Sequence, residues 1–273
     1  MAQFVTTQKR QGYAIISIAK EPVNSFDTAM WQALHAAVQA VEADSSMRGV
    51  IISSGLQRDI FTAGNDLKEL YAPLTSAQQY AVFWEAQSRC LIGIHSSRLA
   101  TLAAIRGACP AGGCAVSLCC DARVMTAGTG GAMGLNEVAL GIPVPKYWAG
   151  VMAQVIGHAA AERLLLSGGM VGPQRALQLG LVDELVADKA QLLPRAEELM
   201  QQAVKLPGGA RAATKAGLRG DFDDAWLQYA LTWEAGPKGF ARITDPNTVA
   251  SVGAALQRLS KGGSKKQQER SKL

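Results

Sequence analysis

Apolar residues first gather in Tyr13-Ala14-Ile15-Ile16-Ser17-Ile18-Ala19, a short run rich in β-branched side chains that predicts a strand over 13–19. The period then lengthens. Trp31, Leu34, Val38 and Val41 recur at three- and four-residue intervals and predict a helix over 28–43. Val50-Ile51-Ile52-Ser53-Ser54 returns to a short apolar run, the mark of a buried strand. A long helix is predicted over 77–97. Strands follow at 101–106 and 121–126, separated by a helix that begins near Gly112. Further helices are predicted over 147–156 and 159–166, after which Gly168-Gly169 and Val171-Gly172-Pro173 interrupt the pattern. Pro173 suits the first turn of a short helix over 173–179, Gly180 ends it, and 181–186 is a last strand. Residues 189–206, 209–217, 222–234 and 246–259 have helical spacing. Strands that alternate with helices predict an α/β fold.

Composition narrows the picture. A chain of 273 residues suits one large domain, or a domain with an appendage, and can bury a substantial core. No apolar run is long enough to insert into a membrane. The first residues lack a basic stretch followed by an apolar one, so no secretory signal is expected. The net charge of +5 is concentrated at the end: Lys261, Lys265, Lys266, Arg270 and Lys272 face only Glu269 there. The remaining body is nearly neutral. That argues against a nucleic-acid partner, while leaving room for a local patch that takes a phosphorylated ligand. Five cysteines (Cys90, Cys109, Cys114, Cys119 and Cys120) are an odd number without the spacing of a disulfide scaffold, and are expected as reduced thiols. With no paired histidine nearby, Cys114, Cys119 and Cys120 read as small buried helix residues rather than metal ligands. His35, His95 and His158 lie far apart, and no serine–histidine–acid triad can be built on them.

Two segments suggest chemistry. Gly107-Ala108-Cys109-Pro110-Ala111-Gly112-Gly113-Cys114-Ala115 follows an apolar strand and opens a helix, so its backbone N–H groups are free to hold negative charge developing on an oxygen. Gly134-Leu135-Asn136-Glu137 places one acid among apolar residues, where a raised pKa suits a general base. Taken singly, a Gly-Gly pair is a tight connection and a lone Glu is a surface residue or a cap. A third segment changes the weight: Phe61-Thr62-Ala63-Gly64-Asn65-Asp66-Leu67, in the right order and spacing.

This set resembles the crotonase (enoyl-CoA hydratase/isomerase) superfamily, over residues 11 to about 258. Further marks are Glu21-Pro22-Val23-Asn24-Ser25-Phe26, Cys120-Asp121-Ala122-Arg123 and Ala176-Leu177-Gln178-Leu179-Gly180-Leu181-Val182-Asp183. The resemblance implies a spiral of strand–strand–helix turns over 1–200 that carries an acyl-CoA site. It implies a helical region over 201–260 that packs homotrimers, or hexamers of paired trimers. A polar tail, 261–273, is expected to be flexible. The resemblance also assigns the oxyanion donors: the backbone N–H of Asn65 and that of Gly112. Gly113 lets the helix start close to the ligand. Ala63, Asp66 and Leu67 resemble the segment lining the adenine end of coenzyme A. Lys68 is a candidate for phosphate contact, with a solvent-facing lysine as the plainer reading.

Hydratases of the superfamily place two glutamates around the substrate. Here the first position holds Ala115 and the second Glu137. One carboxylate suits moving one proton between two carbons. The continuation Leu140-Gly141-Ile142 and Pro145-Lys146-Tyr147-Trp148 is similar to the Δ3,Δ2-enoyl-CoA isomerases of mitochondrial type. That implies isomerisation of 3-enoyl-CoA in fatty-acid β-oxidation, with no metal or redox cofactor and coenzyme A as part of the substrate. The alternatives are a hydratase or dienoyl-CoA isomerase of the same superfamily, or a non-catalytic homologue that binds acyl-CoA or RNA. The final Ser271-Lys272-Leu273 matches a peroxisomal address, which makes an import receptor the expected partner and the peroxisome the expected location.

Overall fold

The structure, a computed structural model, describes residues 4–128 and 130–270. The chain begins with β1 (Val5–Lys9), β2 (Tyr13–Ile18), α1 (Thr28–Ala43), β3 (Gly49–Ser54), α2 (Ala77–His95) and β4 (Ala100–Ile105). Then come β5 (Cys109–Pro110), α3 (Gly112–Cys119), β6 (Ala122–Thr126) and β7 (Met133–Gly134). The remainder is mostly helical: α4 (Lys146–Ile156), α5 (His158–Ser167), α6 (Pro173–Leu179), β8 (Glu184–Val186), α7 (Lys189–Ala203), α8 (Gly208–Tyr229), α9 (Pro237–Ile243) and α10 (Pro246–Arg270). One sheet runs in the order β1-β2-β3-β4-β6-β8, antiparallel in its first pair and parallel in the others.

The side-chain period of two sorts the strands onto two faces. Ile15, Ile51 and Leu102 stand in register and pack on Leu192, Ala196 and Met200 of α7. Ile16, Ile52 and Ala103 turn the other way, into the core shared with α1, α2 and α3. Since helices cover both faces, the strands read as unbroken apolar runs rather than as alternating ones. Helix α1 starts where Asp27 Oδ1 accepts the N–H of Met30 at 2.9 Å, and α2 opens on a capping box of Ser76 and Gln79. Each such cap contributes about 1 kcal/mol.

The departures from expectation have local causes. Strand β1 carries Thr6, Thr7, Gln8 and Lys9 exposed on a sheet edge, so it has no apolar pattern to find. Residues 209–217 and 222–234 are not two helices. Helix α8 runs unbroken into a π-helical turn, Ala230–Glu234. Arg211, Lys215 and Arg219 recur every four residues on α8 and converge on Asp121, at 3.3, 2.7 and 3.1 Å. Asp223 extends the stripe to His95 Nδ1, at 2.6 Å. Gly217 and Gly220 lie on the open side of the helix, with nothing close to them among the described residues. Helix α9 was not expected, although Pro237 takes a first-turn position there. The backbone expected as a flexible tail from residue 261 is helical as far as Arg270; Lys, Gln and Glu are good helix formers, which apolar periodicity does not register.

Candidate active site

Pairing of the two shortest strands joins the chemically suggestive segments. Cys109 and Pro110 of β5 pair with Met133 and Gly134 of β7, and the N–H of Ala111 donates to Gly134 O at 2.8 Å. The glycine-rich turn therefore lies beside the segment that leads into Glu137. Ala111 has φ +49°, a left-handed conformation costly for a residue with a Cβ, and it stands directly before α3. No side chain caps this helix. The N–H of Gly112, its first residue, makes no hydrogen bond among the described residues.

The loop 61–66 supplies a second free amide by plain peptide geometry. Gly64 O accepts from Phe26 N–H, and Asp66 N–H donates to Phe26 O, both at 2.9 Å. The N–H of Asn65 shares a trans peptide unit with that Gly64 carbonyl, so it points the opposite way and is unpaired among the described residues. Gly64 has φ +83°, and a Cβ there would stand 3.0 Å from the Cβ of Ala111. The two loops are thus pressed together. Gly113 completes the fit: a Cβ on it would overlap Thr62 Cγ2. Gly113 packs the loops and does not line the cavity, because its Cα faces Thr62 rather than open space.

Asn24 builds the support beneath. It is fully buried with φ +52°, and its Nδ2 donates to Ile18 O, Ser54 Oγ and Phe61 O at 3.1, 3.0 and 2.9 Å. Its carbonyl accepts from Thr62 Oγ1, which in turn accepts from Gly64 N–H. In the sequence Asn24 was only a family mark, since nothing in its spacing to Asn65 announces this role. Asn24→Ala is expected to cost about 2–4 kcal/mol, because several buried groups lose partners together. A urea midpoint shift at unchanged m-value would measure it.

Glu137 begins a short 3₁₀ turn, Glu137–Leu140, after β7. It is 4% exposed, and neither carboxylate oxygen has a hydrogen-bond partner among the described residues. Burial pushes its pKa from 4.5 up to about 7. Glu137, Asn65 and Ala111 line one cavity of about 1770 Å³; Gly112, which follows Ala111 in the chain, is not among its lining residues. The volume exceeds the roughly 300–1,000 Å³ of common small-molecule sites. Ala63, Asp66, Leu67 and Lys68 line it as well. Asp66 has a structural task besides, since its Oδ1 accepts from Lys68 N–H at 3.0 Å and caps the turn Leu67–Leu70. The side chain of Asn65 is spent on framework: Oδ1 accepts from Trp31 Nε1 at 3.2 Å and Nδ2 donates to Gln87 at 2.7 Å. Ala115 is buried in α3 and offers no second acid at its position. Sequence reasoning missed a different one. Glu234, on the π turn, is buried and lines the same cavity. It falls inside a helical pattern that carries no signal of a site.

The five cysteines are free and buried, and burial raises each thiol. Among the described residues no cluster of three His, Cys, Asp or Glu could hold a metal ion, and no helix is long and apolar enough to cross a membrane. His95 is engaged by Asp223 under α8. Ser271, Lys272 and Leu273 lie outside the described residues.

The Glu137 carboxyl is buried in this cavity, and the amides of Asn65 and Gly112 are unpaired among the described residues; groups of these kinds suit proton transfer next to a carbonyl. Residues 8–236 match the family model described as enoyl-CoA hydratase/isomerase. The chain is 38% identical over 208 residues to the Homo sapiens protein "Enoyl-CoA delta isomerase 1, mitochondrial", covering 76% of this chain and 68% of that one. For the Mus musculus protein of the same name the identity is 35% over 215 residues, covering 79% and 73%. The crystal structure of human mitochondrial delta3-delta2-enoyl-CoA isomerase superposes with a TM-score of 0.87 at 33% identity, covering 95% of this chain and 99% of that one. An enoyl-CoA hydratase from Bacillus halodurans shares the fold, with a TM-score of 0.83 at 24% identity. By the reach of the family model and the identity to these relatives, the chain belongs to the enoyl-CoA hydratase/isomerase family, the crotonases.

Proposed function

We propose that the protein is a Δ3,Δ2-enoyl-CoA isomerase in which Glu137 is the single acid and base. The Glu137 carboxylate takes a proton from C2 of a 3-enoyl-CoA. The electron pair left at C2 delocalises through the thioester carbonyl and the C3–C4 double bond as a dienolate. The amides of Asn65 and Gly112 hold its oxygen. The Glu137 carboxyl then returns the proton at C4, which leaves the double bond between C2 and C3. Nothing is gained or lost overall. The observation that carries this reading is the buried Glu137 carboxylate, which lines the cavity with both oxygens unpartnered among the described residues, while Ala115 supplies no acid at the other glutamate position of the hydratases. The identity to delta isomerases supports it. Coenzyme A enters only as part of the substrate.

Incubation with 3-hexenoyl-CoA and, separately, 2-hexenoyl-CoA tests the assignment. Isomerase chemistry yields 2-hexenoyl-CoA from the first, whereas a hydratase would convert the second to the 3-hydroxy product. The pH profile is a second test. A base must be ionised in the free enzyme, so kcat/KM should rise with pH and level off above the Glu137 pKa of about 7. A profile flat from about pH 5 to 9 would remove a group of that pKa from the mechanism.

Assembly into trimers or paired trimers is proposed from the family alone, and light scattering would measure it. The peroxisomal address is a separate proposal. Removing residues 271–273 should leave activity in vitro unchanged and keep a fluorescent fusion with a free C-terminus out of peroxisomes. If the truncated protein still enters them, the tripeptide is not its address.

A further inference from the structure

Three helices meet at one side chain. Trp31 of α1, Gln87 of α2 and Gly112 at the start of α3 all reach the carboxamide of Asn65. Trp31 and Gln87 are fully buried. An indole N–H donates and cannot accept, so Trp31 Nε1, at 3.2 Å, fixes its partner atom on Asn65 as the oxygen. The amide nitrogen of Asn65 then faces Gln87, and the atom that meets this donor at 2.7 Å has to be Oε1. The relay therefore runs in one sense, from the indole through Asn65 to Gln87.

An amide is otherwise out of place at residue 87. It shares the buried face of α2 with Phe83, Cys90 and Leu91. Its Nε2 is buried with no partner among the described residues, which costs stability. A methionine of about the same length would suit this core without that cost. What glutamine adds is an acceptor for Asn65. The carboxamide held in this way also abuts α3. A Cβ built on Gly112 would stand 2.9 Å from Asn65 Oδ1, so only glycine lets the two approach so closely. The backbone of residue 65 is tied separately, through the bonds of Gly64 and Asp66 to Phe26. Those bonds direct the Asn65 N–H. The carboxamide wedge governs how far the start of α3 stands from it. Two amides share one oxygen only when both lie at hydrogen-bond distance from it.

We propose that Gln87 is a positioning residue for the reaction: it holds the Asn65 carboxamide against Gly112 and so sets the spacing of the two oxyanion amides. Gln87 does not line the cavity and acts only through Asn65. The proposal rests on the isomerase reading of the site. It concerns the transition state more than the bound substrate, because the oxygen gathers negative charge only as the dienolate forms.

The test is a double-substitution cycle, read as kcat with 3-hexenoyl-CoA and as affinity for saturated hexanoyl-CoA. Gln87→Met removes the acceptor at nearly constant volume. It should lower kcat about tenfold, as expected of slightly misplaced groups, with affinity held within about twofold. Gln87→Glu should recover most of the rate, since a carboxyl oxygen accepts whether or not the group is protonated. In an Asn65→Ala background the wedge is already gone, so Gln87→Met should change kcat by less than about twofold there. Gln87→Asn falls one methylene short of Asn65 and takes the place of Gln87→Met, with the same expectations, if the methionine variant does not fold. An unchanged kcat in the single variant, or an equal fall in both backgrounds, would overturn the proposal and leave Gln87 as packing for α2. In either case turnover of 3-hexenoyl-CoA by the wild type would keep the isomerase reading standing. A wild type that leaves 3-hexenoyl-CoA unchanged would sink both.

Discussion

Glu137→Gln is expected to lower isomerisation by about a thousandfold while acyl-CoA affinity stays within several-fold. The amide has the shape of the acid but cannot take a proton. Stability gives an independent sign for the same substitution. Burial raises the Glu137 pKa from 4.5 to about 7, so between those values the folded state holds a proton that the unfolded chain releases. Stability from this group is therefore complete below 4.5 and is lost as pH rises through 7. A glutamine never ionises. The variant should be more stable than wild type above about pH 8, on the order of 2–3 kcal/mol, and the advantage should vanish in acid. Melting curves at the two extremes would establish that the loss of rate is not a loss of fold. Retention of most of the rate would exclude Glu137 as the base.

Gly112→Pro should come next in severity. Proline lacks the N–H that is proposed to hold the thioester oxygen, and one well-aimed donor is worth about 3–4 kcal/mol in the transition state. Proline is tolerated at the first position of a helix, so α3 itself need not be lost. Space is the complication, because a Cβ on residue 112 would stand 2.9 Å from Asn65 Oδ1 and 3.2 Å from Trp31. Gly112→Ala adds that Cβ yet keeps the N–H. The further fall from alanine to proline, expected at about a hundredfold, measures the amide alone. Asn65→Ala is the contrasting case. It keeps its N–H and loses the bonds to Trp31 and Gln87, so stability should drop by about 1–3 kcal/mol with a smaller change in kcat. Equal rates for the alanine and proline variants at position 112 would take that amide out of the oxyanion hole.

What the sequence made legible follows from which forces act locally. Helix α1 spans Thr28–Ala43 as expected, because Asp27 caps it and its buried side chains recur at helical intervals. Helix α6 likewise keeps its expected bounds between Pro173 and Gly180. The continuity of α8 was hidden, because what holds it is a charge stripe meeting Asp121 from ninety residues away in the chain. The site divides in the same way. Glu137 and the glycine-rich turn stood out as local anomalies, an acid and a Gly pair among apolar neighbours. The pairing of β5 with β7 that brings them together involves two residues on each side, too few to leave a pattern. Asn24 and Glu234 draw their meaning wholly from partners distant in the sequence, and composition around them gives no hint of either.

The second face of the sheet has a consequence for how the molecule is made. Among the described residues, Ile15, Ile51, Leu102 and Val124 cluster with Leu192, Ala196 and Met200 of α7 and with Val204 just after it, and α7 follows every strand of the sheet in the chain. Parallel strands joined by long crossovers have high contact order, and such sheets assemble slowly. On a ribosome, the sheet would be complete at Val186 while one whole apolar face still awaited its cover. For that interval the nascent protein presents a broad sticky plane, and chaperone capture or aggregation competes with docking of a single helix. Substitutions at Leu192 or Met200 should thus reduce the yield of soluble protein in cells more than they reduce the equilibrium stability of molecules that have folded.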